Sequence, residues 1–456
     1  MYRFTPRNQL MRAALMSLCL AAMLLASTEA SDPAQPSIAL GPASTSAAIP
    51  AVDAATMDRK LLMGYQGWFA CPGDGSPVNQ WVHWFRDNVP DAAHATFDYW
   101  PDTSQLESDE LCPTRLTRAD GSPAPLYSAY NQKTVVRHFR WMQEHGLDGI
   151  LLQRFTAELK DSRFFALRNQ VAQNVRAGAE SFGRVFALMY DISGHPAATL
   201  VEDLKRDWAY LVDALRITES PRYLRHRGKP VLAIWGLGFT DRPGTAAQAA
   251  QLIDHFENNP DPRYRVTLMG GVPTHWRTLN GDSKSDPAWA SVYRSFDILS
   301  PWAVGRYGDE AGADDFMRRQ IIPDLVEATA QNVEYMPVVF PGFSWHNLLD
   351  GPLNQIPRNG GRFYWRQVYN AIRAYAGMNA PAMMIYGAMF DEVDEGTAMY
   401  NMAATSDELP VQGSFVPLDI DGFRLPHDWY LRLAGEAGKM LRGETPLSAT
   451  LPVAPQ

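Results

Sequence analysis

Eight short apolar runs, separated by stretches of helical periodicity, constrain the fold of this chain more than any other feature. They fall at 61–66, 149–153, 185–190, 230–235, 265–269, 297–301, 335–340 and 382–390. Most do not alternate between apolar and polar residues, the pattern expected of parallel strands covered on both faces. Between them, 134–142 carries apolar residues at helical spacing and stops at His145-Gly146, and 247–256 and 314–328 read similarly. Eight strands alternating with helices predict an α/β protein, a single (β/α)8 TIM barrel with long βα loops. A doubly wound open sheet is the alternative, but no glycine-rich dinucleotide fingerprint follows the first run.

The termini read differently from this body. Residues 1–30 have the pattern of a signal peptide, with Arg3, Arg7 and Arg12 ahead of the apolar stretch 13–26 and Thr28-Glu29-Ala30 as a cleavage site. That apolar stretch is too short to cross a bilayer as a helix, although an uncleaved anchor is the other reading. Residues 31–52, rich in Pro, Ala and Ser, read as a disordered linker, 53–442 as one catalytic domain, and 443–456 as a flexible tail. The expected destination is the periplasm or the medium, with no stable membrane insertion after signal cleavage. Cys19 would leave with the signal, and in an oxidising compartment Cys71 and Cys112 are expected to form a disulfide. Two unpaired buried thiols are the alternative. Both cysteines lie in the excursion 67–130 that follows the first strand, and loops of that length usually shape a binding site.

The formal net charge of −9 comes with no basic stripe, which argues against a nucleic-acid partner. A neutral poly- or oligosaccharide is compatible with that charge. Aromatic residues make up 11% of the chain, enough to furnish sugar-stacking faces as well as a core.

Barrel strands present reacting groups at their C-terminal ends. Those ends supply Tyr65, Gln66 and Trp68, then Gln153 and Arg154, Asp191, Trp235, His275, Trp302, and Trp345 with His346. All are candidate substrate-binding residues. The last apolar run ends in Phe390-Asp391-Glu392-Val393-Asp394-Glu395-Gly396-Thr397, four acids in five positions. Buried unpaired charge costs several kcal/mol, so such a run fits a wet cleft better than a core. In a helical turn Glu392 and Glu395 would share one side, with Cβ atoms about 5–6 Å apart. A close pair of glutamates is what acid/base chemistry at a glycosidic bond requires. Like-charged neighbours would lift one of them above the ordinary glutamate value of ~4.3, with Arg154 or Arg306 holding the other ionised.

Each candidate also has a structural reading. The acidic run fits a solvated helix start, Asp191 a helix cap, and Gln66, Gln153 and Arg154 loop braces. Trp68, Trp100, Trp235, Trp276, Trp302 and Trp345 are candidate stacking platforms, yet any one of them fits a core equally well. His83, His275 and His346 lack metal-ligand spacing, the region of Asp74 lacks an EF-hand pattern, and no G-x-S-x-G elbow is present. No metal and no cofactor are therefore expected.

The segment 390–397 resembles the Phe-Asn-Glu-Trp-His-Glu-Gly-Thr signature of glycoside hydrolase family 99, the endo-α-1,2-mannosidases and mannanases. Gly64-Tyr65-Gln66-Gly67-Trp68-Phe69 and Pro341-Gly342-Phe343 are similar to that family and to its relative, family 71. The likeness spreads over about 60–405. It implies retaining hydrolysis through a 1,2-anhydrosugar, in which Glu392 takes the proton of the substrate 2-OH. Glu395 would protonate the leaving oxygen and then activate water. Asp391 stands where the family has Asn, and Val393-Asp394 where it has Trp-His, which changes the charge and the wall of the reacting subsite. An α-mannan-like glycan is the first expectation. Asp391 is a further candidate substrate-binding residue; a xyloside or arabinofuranoside substrate, or an inactive glycan-binding barrel in which the Val393-Asp394 change accompanies lost activity, are the alternatives.

Overall fold

The computed structural model describes residues 50–378, 380 and 382–455. The expected signal peptide and residues 31–49 of the expected linker lie outside them. Each apolar run contributes to one sheet. Its strands are β1 (Leu61–Tyr65), β2 (Gly149–Phe155), β3 (Val185–Asp191), β4 (Lys229–Trp235), β5 (Thr267–Val272), β6 (Ile298–Pro301), β7 (Glu334–Tyr335), β8 (Val338–Val339) and β9 (Ile385–Gly387). All are parallel, in the order β7-β6-β5-β4-β3-β2-β1-β9-β8.

The two ends of that order are one continuous run of chain. The seventh run, expected as an unbroken strand, divides at Met336-Pro337. Met336 N donates to Leu299 O of β6 at 2.8 Å, and Pro337 O accepts from Tyr386 N of β9 at 3.0 Å. Pro337 has no N–H to offer the ladder, so the run switches partner there and the sheet closes into an eight-membered (β/α)8 barrel. Helices α1 (Gln132–Glu144), α2 (Ser162–Phe182), α3 (Leu200–Asp213) and α4 (Ala246–Asn258) cover the first strands. Three of these starts are set by side-chain caps: Asn131 accepts from Lys133 N, Asp161 from Arg163 N, and Thr245 forms a capping box with Gln248. The sixth helical region runs as α5 (Glu310–Phe316), a π-helical turn Met317–Ile321, and α6 (Ile322–Ala330). After β8 and β9 come α7 (Arg362–Tyr375) and α8 (Trp429–Arg442).

Strand parity decides which side chains face the axis. Gly64, Gln153 and Tyr386 point inward. A Cβ on Gly64 would lie 2.1 Å from Tyr386 Oη, so only glycine lets that ring cross the interior. Gln153 Nε2 donates to the same oxygen at 3.0 Å. One layer higher, Phe155, Asp191, Trp235 and Gly271 are paired in register across four strands. Their sequence neighbours Arg154, Tyr190 and Ile234 face the helices instead.

The excursion 67–130 builds a small core of its own over the barrel mouth. Trp84, Phe97 and Trp100 are buried there, Leu111–Cys112 pairs antiparallel with Leu126–Tyr127, and Cys71 is bonded to Cys112. Closing 41 residues in the unfolded chain is worth about 4 kcal/mol in the chain-entropy account. The segment 443–455 carries no helix or strand and touches the body at isolated points. Trp365 Nε1 donates to Ser448 O at 3.0 Å, and Leu451 and Val453 lie against the core. Its lack of apolar periodicity hid these isolated anchors.

Candidate active site

Beyond β9 the chain enters a turn rather than the expected helix. Glu392 O accepts from Thr397 N at 3.0 Å and from Ala398 N at 2.8 Å, and this folds 392–396 back over the barrel mouth. Glycine is needed at Gly396, where φ is +66° and a Cβ would meet Ser344 N at 2.6 Å. The long loop braces the turn from outside: Asp98 N donates to Val393 O at 3.2 Å. The Asp98 carboxylate accepts from Ser344 Oγ, His346 N and Asn347 N, tying the loop after β8 into the same structure.

The four acids have four different environments. Asp391 accepts from Gln66 N at 2.7 Å and Gly67 N at 2.9 Å, one on each carboxylate oxygen, so it fastens the turn to the end of β1. Glu392 is 5% exposed. Its Oε1 accepts from Gln66 Nε2 at 2.5 Å and its Oε2 from Thr397 Oγ1 at 2.7 Å. Asp394 is buried, with Oδ2 3.2 Å from His83 Nδ1 and Oδ1 lacking a hydrogen-bond partner. Glu395 is half-buried, and its carboxyl makes no hydrogen bond among the described residues. Of the four it is the one left free to meet a ligand.

Burial raises the pKa of all four. For Glu392 the charges of Glu395 and then Asp394 add to desolvation, and Thr397 and Gln66 oppose it, leaving it well above the usual carboxylate range. Glu395 is pushed up to about 7 by burial first and Asp394 second, opposed by the guanidinium of Arg242. Asp391 rises to about 7 and Asp394 to about 8, both mainly through desolvation. Glu392 lies within reach of the charge of Glu395, and carboxyls packed this closely hold a proton through neutral pH as a unit.

The structure brings several sequence candidates to this mouth. Gln66 binds Glu392. Asp191, with Ser193 N on its Oδ1 at 2.7 Å, acts electrostatically on Glu395. Trp235 and Trp302 meet edge to face at 5.4 Å and form one wall with Phe239. Trp68 is only 8% exposed, with His83 stacked on it at 3.7 Å and Phe155 at 4.8 Å, so little of its ring remains for a sugar. Gln153 lies deeper, on Tyr386. His275 and Arg306 sit at the rim, both paired with Asp282 at 2.9 and 2.5 Å. In the loop after β8, Trp345 packs on Phe343, and His346 Nδ1 lies 2.9 Å from Gly351 O.

Other candidates go elsewhere. Arg154 points into the helix layer, where Nε and Nη2 each meet Asp207 at 2.6 Å. Next to inward-facing Gln153 it can only face outward, so it is not the cation of the site. Tyr65 is turned out for the same reason: it is fully buried, with Oη 2.8 Å from His138 Nδ1 under α1. Trp100 and Trp276 are at most 1% exposed and belong to the core. Asp74 braces its loop by accepting from Ser76 N and Ser128 Oγ. Arg242 takes the role expected of Arg154 or Arg306. It leaves the loop after β4, stands 5.2 Å over the Trp235 ring and acts on both Glu395 and Asp191. Arg242, Asp98 and Glu158, whose charge acts on Asp191, were not anticipated. Loop residues carry no period, and only the proximity of Glu158 and Arg242 to strand ends marked them.

Among the described residues no cluster of three or more His, Cys, Asp or Glu is arranged to hold a metal ion, and no helix is long and apolar enough to cross a membrane. No protein-family model and no curated protein matches the sequence. Solved structures do. Two structures of the family 99 endo-α-mannosidase from Bacteroides thetaiotaomicron, one in complex with bis-tris-propane, each match with a TM-score of 0.60. Their identities are 14% and 15%, and each match covers 85% of this chain and 99% of the mannosidase. The fold of this chain is the (β/α)8 barrel of those family 99 enzymes.

Proposed function

We propose that this chain is an exported, retaining glycoside hydrolase that cleaves α-linked glycans of the α-mannan type, with Glu392 and Glu395 as its reacting pair. The observation that carries the reading is the pair itself. Two glutamates raised by burial stand at the C-terminal end of the last barrel strand, one cradled by Gln66 and Thr397 and one open to the cleft. A carboxyl near 7 is suited to give a proton and take one back at neutral pH. In the route suggested by the family 99 likeness, the proton that burial favours on Glu392 stands on Glu395 in the reacting complex, and Glu392 removes the proton of the 2-OH. O2 then displaces the glycosidic oxygen from C1, and Glu395 protonates the departing alcohol. Water, deprotonated by Glu395, opens the 1,2-anhydrosugar at C1, and Glu392 returns its proton to O2. Two inversions at C1 give net retention. The Trp235–Trp302 wall offers an apolar face to the pyranose ring, and the disulfide is consistent with an oxidising compartment.

The test is a panel of α-mannans, α-glucans and arabinoxylans with product analysis. Release of α-configured products from a mannan supports the reading. Cleavage of arabinoxylan alone would redirect the substrate to a pentoside, and oligosaccharide binding without product from any member of the panel would overturn the hydrolase.

A further inference from the structure

The catalytic turn contains a third buried carboxyl that this reaction does not use. Asp394 lies between Glu392 and Glu395 in sequence, is 2% exposed and leaves Oδ1 buried without a partner. His83 reaches its other oxygen from the 67–130 loop, with a left-handed backbone at φ +61°. That region is uncommon for a residue with a side chain, and such conformations persist where the surroundings over-determine them. The surroundings here are explicit: the imidazole lies 3.7 Å from the Trp68 ring at 7° and within 3.2 Å of Asp394.

We propose that Asp394, oriented by His83, is a positioning residue for the Glu392/Glu395 pair, a third acid whose presence obliges the group to keep a proton at neutral pH. The role rests on the reading of Glu392 and Glu395 as the reacting pair; the effect on protonation does not.

Three packed carboxyls cannot all ionise, because each charge formed opposes the next. The backbone N–H groups of Asp394 and Glu395 oppose the rise only in part, and the titratable groups facing Asp394 do not relieve it. Glu392 and Glu395 share its turn, Asp391 and Tyr400 flank it, and Asp98 approaches from the long loop. His83 is kept neutral, pushed down to about 3 chiefly by burial, with Arg168 adding to that and Glu158 opposing it. A neutral imidazole fixes the direction of the carboxyl without cancelling its charge. Of the nearby cations, Arg242 acts on Glu395 rather than on Asp394, and buried Arg358 donates Nη2 to Gly396 O and Ala398 O of the same turn rather than to a carboxylate. Asp394 therefore raises Glu395 by proximity, as the second cause after burial.

Asp394→Asn removes the ionisable group and keeps its shape. The intact protein, labelled with 13C at glutamate side-chain carboxyls and assigned through Glu395→Gln, would be titrated across neutral pH. In Asp394→Asn the Glu395 midpoint should fall by about one pH unit, and the alkaline limb of any pH–rate profile should move down with it. His83→Asn, whose amide can still donate to Asp394, should keep the wild-type midpoint, whereas His83→Ala should broaden or shift it. A Glu395 midpoint unmoved in a folded Asp394→Asn protein overturns the proposal, even if glycans are hydrolysed. A shifted midpoint in a protein that cleaves no glycan upholds it and overturns the hydrolase reading instead.

Discussion

Two groups of buried charge lie on opposite sides of the barrel wall. Outside β2, Arg154 and Asp207 form a two-pronged ion pair, with Asn169 taking another Arg154 N–H and Tyr190 Oη donating to Asp207 at 2.7 Å. At the mouth, Glu392, Asp394 and Glu395 carry like charge, and Asp394 Oδ1 and Gln66 Oε1 are buried without partners. The first group is balanced and nearly saturated with hydrogen bonds, as a charge serving the fold must be. The second is neither, and tolerating it lowers stability unless the imbalance serves a reaction. Uncompensated burial, more than burial itself, separates the proposed reacting cluster from a brace.

The contrast can be broken from either side. The largest effect is expected from Glu395→Gln or Glu392→Gln, each lowering kcat about 10³-fold with the fold retained by circular dichroism. Next, Asp207→Ala strands the Arg154 charge and should cost about 3–5 kcal/mol in urea unfolding, while leaving the pH optimum where it was. Thr397→Val removes a donor from Glu392 and should lower kcat about tenfold.

The smallest effect runs in the opposite direction. Glu395 is raised in the folded protein to about 7 from 4.5, so between those values the native state binds more protons than the unfolded chain. The stability it contributes is therefore greatest below the lower value and is lost as pH rises through the upper. At neutral pH and above, Glu395→Gln should be more stable than the wild type by on the order of 1 kcal/mol. That difference should vanish below the ordinary glutamate range, as differential scanning calorimetry can follow.

Much of the barrel was legible in the sequence because parallel strands buried on both faces leave long apolar runs. The eight runs and the position of the acidic turn after the last of them follow from that alone. Strand ends were less informative than strand parity. Gln153 and Arg154 are adjacent, yet one faces the axis and the other Asp207, and the same alternation separates Gln66 from Tyr65. Loop groups were invisible for a different reason. Arg242, Glu158 and Asp98 gain their neighbours from the closure of the barrel, and no local pattern encodes that. The division of the seventh strand at Pro337 was written in one residue that cannot donate to a ladder.

Product analysis of the wild type beside a Glu392→Gln/Glu395→Gln double variant, on one α-mannan at neutral pH, tests the central claim most directly. The account predicts sugar release with retained configuration from the wild type and none from the folded double variant. Undiminished release by the double variant would contradict it.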